Sequence, residues 1–339
     1  MRRSARIGFA LAAAAFALGG TALAGMSAGA ATANGTGAPT PVSAPAGVKQ
    51  MCGTQKSAPK YKHIVVILEE NRAYKQVIGS SEAPYINSLV KLCGLATNYH
   101  NATHPSLPNY IALTDGMSVQ QLAPYLTDCT PSLTCEVPAK VNNIFHELEG
   151  HGGWKGYNES MPSNCYKANT SIYAPRHNPA VYYLDLKTSC SRFDVPLGTA
   201  ADSALLKDFS RQATAPAFSF VTPNLIDDMH NGTTAQGDSW LKTWLPLITK
   251  TPVYQSGNTA IFITWDEGEP SLIGAKCEYS SAVGCRVPLI VVAPSVRGGL
   301  RSTTSFSHYS LLKTAEQLLG VPQLGLARTA KSLILAFNL

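Results

Sequence analysis

The sequence predicts an α/β fold, a sandwich built on a central, mostly parallel sheet, and three observations carry that prediction. Short, continuously apolar runs of strand length recur along the chain, amphipathic stretches of helical period fall between them, and acidic residues stand directly after two of the runs. Strands are expected over residues 63–68, 217–221, 259–265 and 287–293. Each is too continuously hydrophobic to leave one face in water. Helices are expected over 83–92, 201–212, 239–248 and 308–319, where apolar residues return every three or four positions.

The composition allows such a core. Of 339 residues, 45% are hydrophobic and 14% charged, which suits one globular domain, expected over 57–339, and excludes a disordered chain. The first residues run from Arg2, Arg3 and Arg6 through an Ala-rich apolar stretch to an Ala-Leu-Ala ending at Ala24. That order predicts a signal peptide within 1–33, a secreted protein, and a mature form without a transmembrane segment. A Gly, Ala, Pro, Thr and Ser-rich leader, 34–56, should follow. Removing residues 1–33 takes away three arginines and no acid, lowering the net charge from +6 to +3. Mild basicity suits an anionic small molecule, and the absence of any dense Lys and Arg run argues against nucleic acid as a partner. The oligomeric state leaves no mark on the sequence.

Residues 117–196 show little periodicity but hold four cysteines and many aromatics, so they are expected to form a loop-rich cap or pocket wall. Eight cysteines, Cys52, Cys93, Cys129, Cys135, Cys165, Cys190, Cys277 and Cys285, follow the signal, an even number that predicts disulfides in an exported chain. Proximity favours Cys129 with Cys135 and Cys277 with Cys285; the other pairings stay open among roughly a hundred complete maps.

The candidate chemistry begins at Thr103-His-Pro-Ser-Leu-Pro-Asn-Tyr110. Pro108 suits the first turn of a helix, which sets Ser106 near a helix N-terminus, where unpaired N–H groups can hold phosphate oxygens while the hydroxyl attacks phosphorus. The plainer reading makes Ser106 a helix cap, and Thr103 is a competing hydroxyl. Two strand patterns end in acids, one in Glu69, Glu70, Asn71 and Arg72, the other in Asp266 and Glu267. Open α/β sheets bind ligands beyond the carboxyl ends of their strands, so these ends could share one site. Glu70, Asn71, Asp266 and Glu267 offer oxygen ligands suited to magnesium, calcium or manganese, and a divalent metal there would activate the serine; no organic cofactor is expected. Alternatively the acids cap helices and pair with Arg72 or Lys75. His230, in Asp227-Asp-Met-His-Asn-Gly232, and His308, in Ser307-His-Tyr309, are candidates to protonate a leaving oxygen, while His104, Arg176 and His177 are candidates to hold phosphate.

Across residues 62–319 these motifs, in this order, resemble the phosphoesterase family that includes bacterial acid phosphatases and phospholipases C. The further matching pieces are Tyr173 to Pro179, Pro223 to Gly232 with Gly237-Asp-Ser-Trp240, and Thr264-Trp-Asp-Glu267. The resemblance implies an alkaline-phosphatase-like three-layer sandwich. It also implies a nucleophile at Ser106 with Asn109 closing its Ser/Thr-x-Pro-Asn unit, and metal at the Glu-Asn and Asp-Glu pairs. Larger phospholipases C of the family continue Asp-Glu-x-x-Gly-x-x-Asp-His, whereas here Asp266-Glu-Gly-Glu269 runs into Pro270. The expectation is therefore a secreted monoesterase working through a phosphoserine, with small phosphate esters and phosphoinositides or phospholipids as substrates. Phospholipase C action and a catalytically silent phosphate-binding protein are the alternatives.

Overall fold

In a computed structural model, which describes residues 51–339, nine strands join in one sheet. They are β1 (His63–Glu69), β2 (Gly94–His100), β3 (Trp154–Asn158), β4 (Asp194–Pro196), β5 (Phe218–Thr222), β6 (Thr259–Trp265), β7 (Arg286–Val292), β8 (Arg301–Ser302) and β9 (Phe306–Ser307). Their spatial order is β8-β2-β7-β6-β1-β5-β3-β4, with β9 also beside β2. The expected signal peptide and the leader up to residue 50 lie outside the described residues.

Three of the four apolar runs form the middle of the sheet. β1 lies parallel to β5, with Ile64 opposite Phe218, and to β6, with His63 opposite Thr259 and Glu69 opposite Trp265. Every residue of these three strands is buried, in keeping with their mostly apolar sequences. The fourth run, expected as another parallel strand, becomes β7 and runs antiparallel to both β6 and β2. Burial on both faces does not encode direction. Here the loop after β6 returns along the same edge and needs no crossover.

Four longer helices flank the sheet: α1 (Pro84–Leu92), α2 (Ser106–Asp115), α3 (Thr234–Thr249) and α4 (His308–Leu319). α1 packs on α3 and α2 on α4. α1 opens on a proline without a capping side chain, and Asp238 of α3 accepts its first N–H groups, from Tyr85 at 3.1 Å and Ile86 at 2.7 Å. α3 starts five residues before its expected beginning because Thr233 and Gln236 form a capping box. The helix expected over 201–212 shrinks to Ala204–Asp208. Its last carboxylate is taken by Lys155 and Tyr157 of β3 at 2.6 and 2.7 Å, and Thr214 takes its carbonyl.

Two expected boundaries change. Residues 117–196 are more than a cap, since they supply both β3 and β4 of the sheet. Gly156 of β3 allows this pairing because a Cβ there would collide with the buried Asp194 carboxylate. The leader cannot extend to residue 56: Met51 and Cys52 are buried, and the Met51 carbonyl accepts from Tyr254 at 2.7 Å. All eight cysteines pair, as Cys52–Cys93, Cys129–Cys135, Cys165–Cys190 and Cys277–Cys285.

Candidate active site

The parallel pairing of β1 with β6 decides what meets at the sheet's carboxyl end. The Asp266 N–H continues the ladder onto the Glu69 carbonyl at 2.9 Å, so the residues that follow, Glu70 and Asn71 on one strand and Asp266 and Glu267 on the other, emerge side by side. Asn71 sits at φ +50°, a left-handed conformation that asparagine tolerates better than most residues. That turn aims its N–H at Asp266 Oδ1, 3.1 Å away.

Ser106 is the first residue of α2, and Pro105 rather than the serine occupies the capping position. The hydroxyl is 2% exposed and donates to Glu70 Oε2 at 3.0 Å, so its role is not that of a helix cap. Tyr110, one turn along, donates to Glu70 Oε1 at 2.7 Å and stacks against His177 with ring centroids 5.4 Å apart. One amide expected to face phosphate is already committed, since Leu107 N–H donates to Asp128 Oδ1 at 2.9 Å.

Asn109 binds mainly its own loop, with one longer contact from its amide to Glu267 Oε2 at 3.5 Å. Its carbonyl oxygen accepts from the amides of Ala102 and Thr103, and its amide donates to the carbonyls of Thr103 and Pro105. Four bonds at 2.8–3.0 Å leave no donor for phosphate, so Asn109 shapes the turn that delivers Ser106. Thr103, the competing hydroxyl, is fully buried and bonds only locally, to the His104 carbonyl at 3.4 Å.

The histidines divide. His177 donates from Nδ1 to Asp228 Oδ2 at 3.0 Å, which turns its Nε2 toward Glu70 Oε1 at 3.2 Å. Burial, then Arg176 and His230, push its pKa well below the usual imidazole value, so the ring is neutral and Nε2 carries a lone pair. Glu70, His177 and His230 place ligand atoms within 4.8 Å of one another. His230 is half-exposed, donates from Nδ1 to Asn231 at 2.8 Å and receives Arg176 Nη2 on Nε2 at 3.1 Å. His308 is fully buried with both nitrogens engaged, on the Asp266 carbonyl at 2.7 Å and the Tyr99 hydroxyl at 2.9 Å. Burial lowers its pKa to about 4, and its bond to the Asp266 carbonyl steadies that strand end. His104 is likewise buried, its Nδ1 donating to Glu267 Oε2 at 2.8 Å.

The acids stand close enough together to disfavour one another's ionisation. Burial, then Asp266 and Asp228, raise Glu70 well above the carboxyl range, and burial raises Asp266 to about 7. Asp266 Oδ2 and Asn71 Oδ1 are buried without a hydrogen-bond partner. Unpartnered oxygens beside mutually repelling carboxylates fit a divalent cation. Glu267 stands at the same strand end and gives one oxygen, Oε2, to His104 Nδ1 at 2.8 Å. Asp228 and Tyr110 were missed as contributors, although both stand inside quoted motifs: an acid two residues before a histidine and the residue after Asn109 were the available signals.

Comparison with known proteins bears on the family and the fold. The Phosphoesterase family model matches residues 80–322. A phosphatidylinositol-3-phosphatase of Mycobacterium tuberculosis is 32% identical over 84% of this chain and 85% of its own. A probable acid phosphatase of Kluyveromyces lactis is 26% identical over 78% of this chain, which spans 60% of that protein's length. Among solved structures, a member of the alkaline phosphatase superfamily from Vibrio parahaemolyticus superposes with TM-score 0.52 at 12% identity, over 80% of this chain and 69% of that one, a likeness of fold.

Proposed function

Because this chain belongs to the phosphoesterase family, we propose that it is a phosphatase that hydrolyses phosphate monoesters, phosphoinositides among them, through a phosphoserine at Ser106. The observation that carries the reading is the Ser106 hydroxyl held 3.0 Å from Glu70 at the meeting point of two acidic strand ends. In the first step Oγ bonds to phosphorus, the ester oxygen leaves, and the Oγ proton passes to the Glu70 carboxylate. Arg176, half-buried beside the pocket, turns from His230 onto the phosphate oxygens. His230, once protonated on Nε2, gives that proton to the departing alcohol. Water then cleaves the phosphoserine, releasing inorganic phosphate and restoring the hydroxyl.

Glu70, Asn71 and Asp266 would hold a magnesium, calcium or manganese ion, which would supply charge neutralisation for the phosphate and lower the pKa of the Ser106 hydroxyl. His177, with Asp228 behind it, holds a neutral nitrogen against the same carboxylate. Four disulfides suit an oxidising compartment, in line with export, and among the described residues no helix is long and apolar enough to cross a membrane.

The test is acid quenching during turnover of an aryl phosphate, followed by mass analysis of the Ser106 peptide. Phosphate on Ser106, with Ser106→Ala folded but at least about 10³-fold slower, is the expected result. An unmodified serine and an unimpaired Ser106→Ala enzyme would reject the nucleophile. Release of phosphorylated head group and diacylglycerol in place of inorganic phosphate would reject the monoesterase.

A further inference from the structure

Five of the eight large hydrophobic side chains exposed among the described residues stand on two disulfide-bearing loops. Leu272 (63% exposed), Ile273 (73%), Tyr279 (64%) and Val283 (62%) belong to the loop over 268–284, cross-linked by Cys277–Cys285. Leu133 (98%) belongs to the smaller loop closed by Cys129–Cys135. Single exposed apolar side chains are ordinary on a protein surface; a concentration of them on adjoining loops calls for a partner.

Both loops are rooted at the nucleophile. The larger one leaves the sheet directly after Asp266 and Glu267 and is closed at its neck by Gly268 N–H donating to the Gly284 carbonyl at 2.9 Å. Its far side is tied to the chain just before Ser106, through Gly274 N–H on the His104 carbonyl at 2.9 Å and Cys277 N–H on the Ala102 carbonyl at 3.0 Å. The smaller loop starts beside Asp128, which holds the Leu107 amide, and Leu126, leading into it, lies beside Gly274. The exposed apolar groups therefore stand on loops anchored to the strand end and the turn that flank Ser106, and cross-linking and backbone bonds hold the larger loop in shape.

We propose that these loops are a lipid-docking surface: Leu272, Ile273, Tyr279 and Val283, with Leu133 beside them, enter the interfacial region of a phospholipid bilayer and hold Ser106 over phosphorylated head groups. The inference rests on the phosphate-ester reading above, with phosphoinositides as substrates, because such an ester is presented at a bilayer surface. A tyrosine among aliphatic residues suits that boundary, its ring apolar and its hydroxyl wet. The charged groups of the larger loop, Glu269, Lys276 and Glu278, sum to −1, so the attraction to a bilayer comes from apolar area and should resist salt.

Vesicle flotation of the secreted chain with phosphatidylcholine vesicles carrying phosphatidylinositol 3-phosphate tests this. The protein should float with the vesicles, equally at low and high salt. The variant combining Leu272→Ser, Ile273→Ser, Tyr279→Ser and Val283→Ser should lose about tenfold or more of the bound fraction. Leu335→Ser, at a residue 97% exposed elsewhere, should lose none. The combined variant should hydrolyse a soluble aryl phosphate at the unaltered rate while vesicle-borne lipid turnover falls about tenfold. Should it fail to fold, Ile273→Trp decides, its emission shifting to the blue on vesicles if the loop enters the bilayer and staying put if it does not. Failure of the unaltered protein to float, flotation abolished by salt, or equal flotation of the combined variant would overturn the proposal, as would self-association through these loops without vesicle binding. Flotation as expected from a chain that hydrolyses no phosphate ester would reject the phosphatase reading and leave the docking surface standing.

Discussion

The Ser106 hydroxyl and the Glu70 carboxylate, 36 positions apart in the chain, meet at 3.0 Å where helix α2 begins and strand β1 ends. The same carboxylate receives the Tyr110 hydroxyl and faces His177, so a single buried side chain organises the proposed nucleophile and its surroundings. Burial and the nearby Asp266 and Asp228 raise its pKa, which makes Glu70 a stronger base and a costly residue for the fold.

Activity and stability should therefore move in opposite directions in Glu70→Gln. Glutamine fills the same buried space without the cost of ionising beside Asp266 and Asp228, so the melting temperature in the presence of chelator should hold or rise, while kcat falls about 10²–10³-fold. Parallel measurement of melting and turnover checks this. A variant that loses both would make Glu70 a structural residue.

Metal removal separates the two uses of the acidic ends. Dialysis against chelator should slow turnover at least about tenfold, with recovery on adding magnesium, calcium or manganese. Asn71→Ala should raise the metal concentration needed for half recovery about tenfold or more, whereas Glu267→Gln, at a carboxylate already bonded to His104, should change it far less. Turnover insensitive to chelator would remove the metal from the proposal.

Asn109→Ala should act through geometry. Losing bonds to four backbone groups should cost about 2–3 kcal/mol and lower kcat, with KM for an aryl phosphate little changed. A raised KM at unchanged kcat would restore the phosphate contact that the sequence suggested.

Far from this chemistry, Asp115 at the end of α2 gives the fold a pH dependence. Burial raises its pKa from 3.8 to about 8, and its Oδ2 has no hydrogen-bond partner. The folded state keeps the proton while the unfolded chain loses it, so the contribution of Asp115 is whole below about pH 4 and declines as pH rises toward 8. Asp115→Asn has no proton to lose. Its melting temperature relative to the unaltered protein should climb between pH 4 and 8 and level off above; a constant difference would show that the carboxyl does not titrate in that range.

By itself the sequence determined the elements whose signal is local. Buried strands β1, β5 and β6 read as mostly apolar runs, α1 and α4 as amphipathic periods, and the acids at the strand ends and the Thr-His-Pro-Ser turn as candidate site residues, because burial and turn chemistry are written into consecutive positions. Strands β2 and β3 were not legible: Gly94-Leu-Ala-Thr-Asn-Tyr-His and Trp154-Lys-Gly-Tyr-Asn are polar or glycine-bearing, and only neighbouring strands make them extended. Tertiary structure alone decided which polar groups were left free. His308, His104 and Asn109 were equals of His177 and Arg176 as residue types. The fold spent the first three on carbonyls, amides and a carboxylate, because a buried hydrogen-bonding atom takes whatever partner the packing brings, and that partner comes from a distant part of the chain.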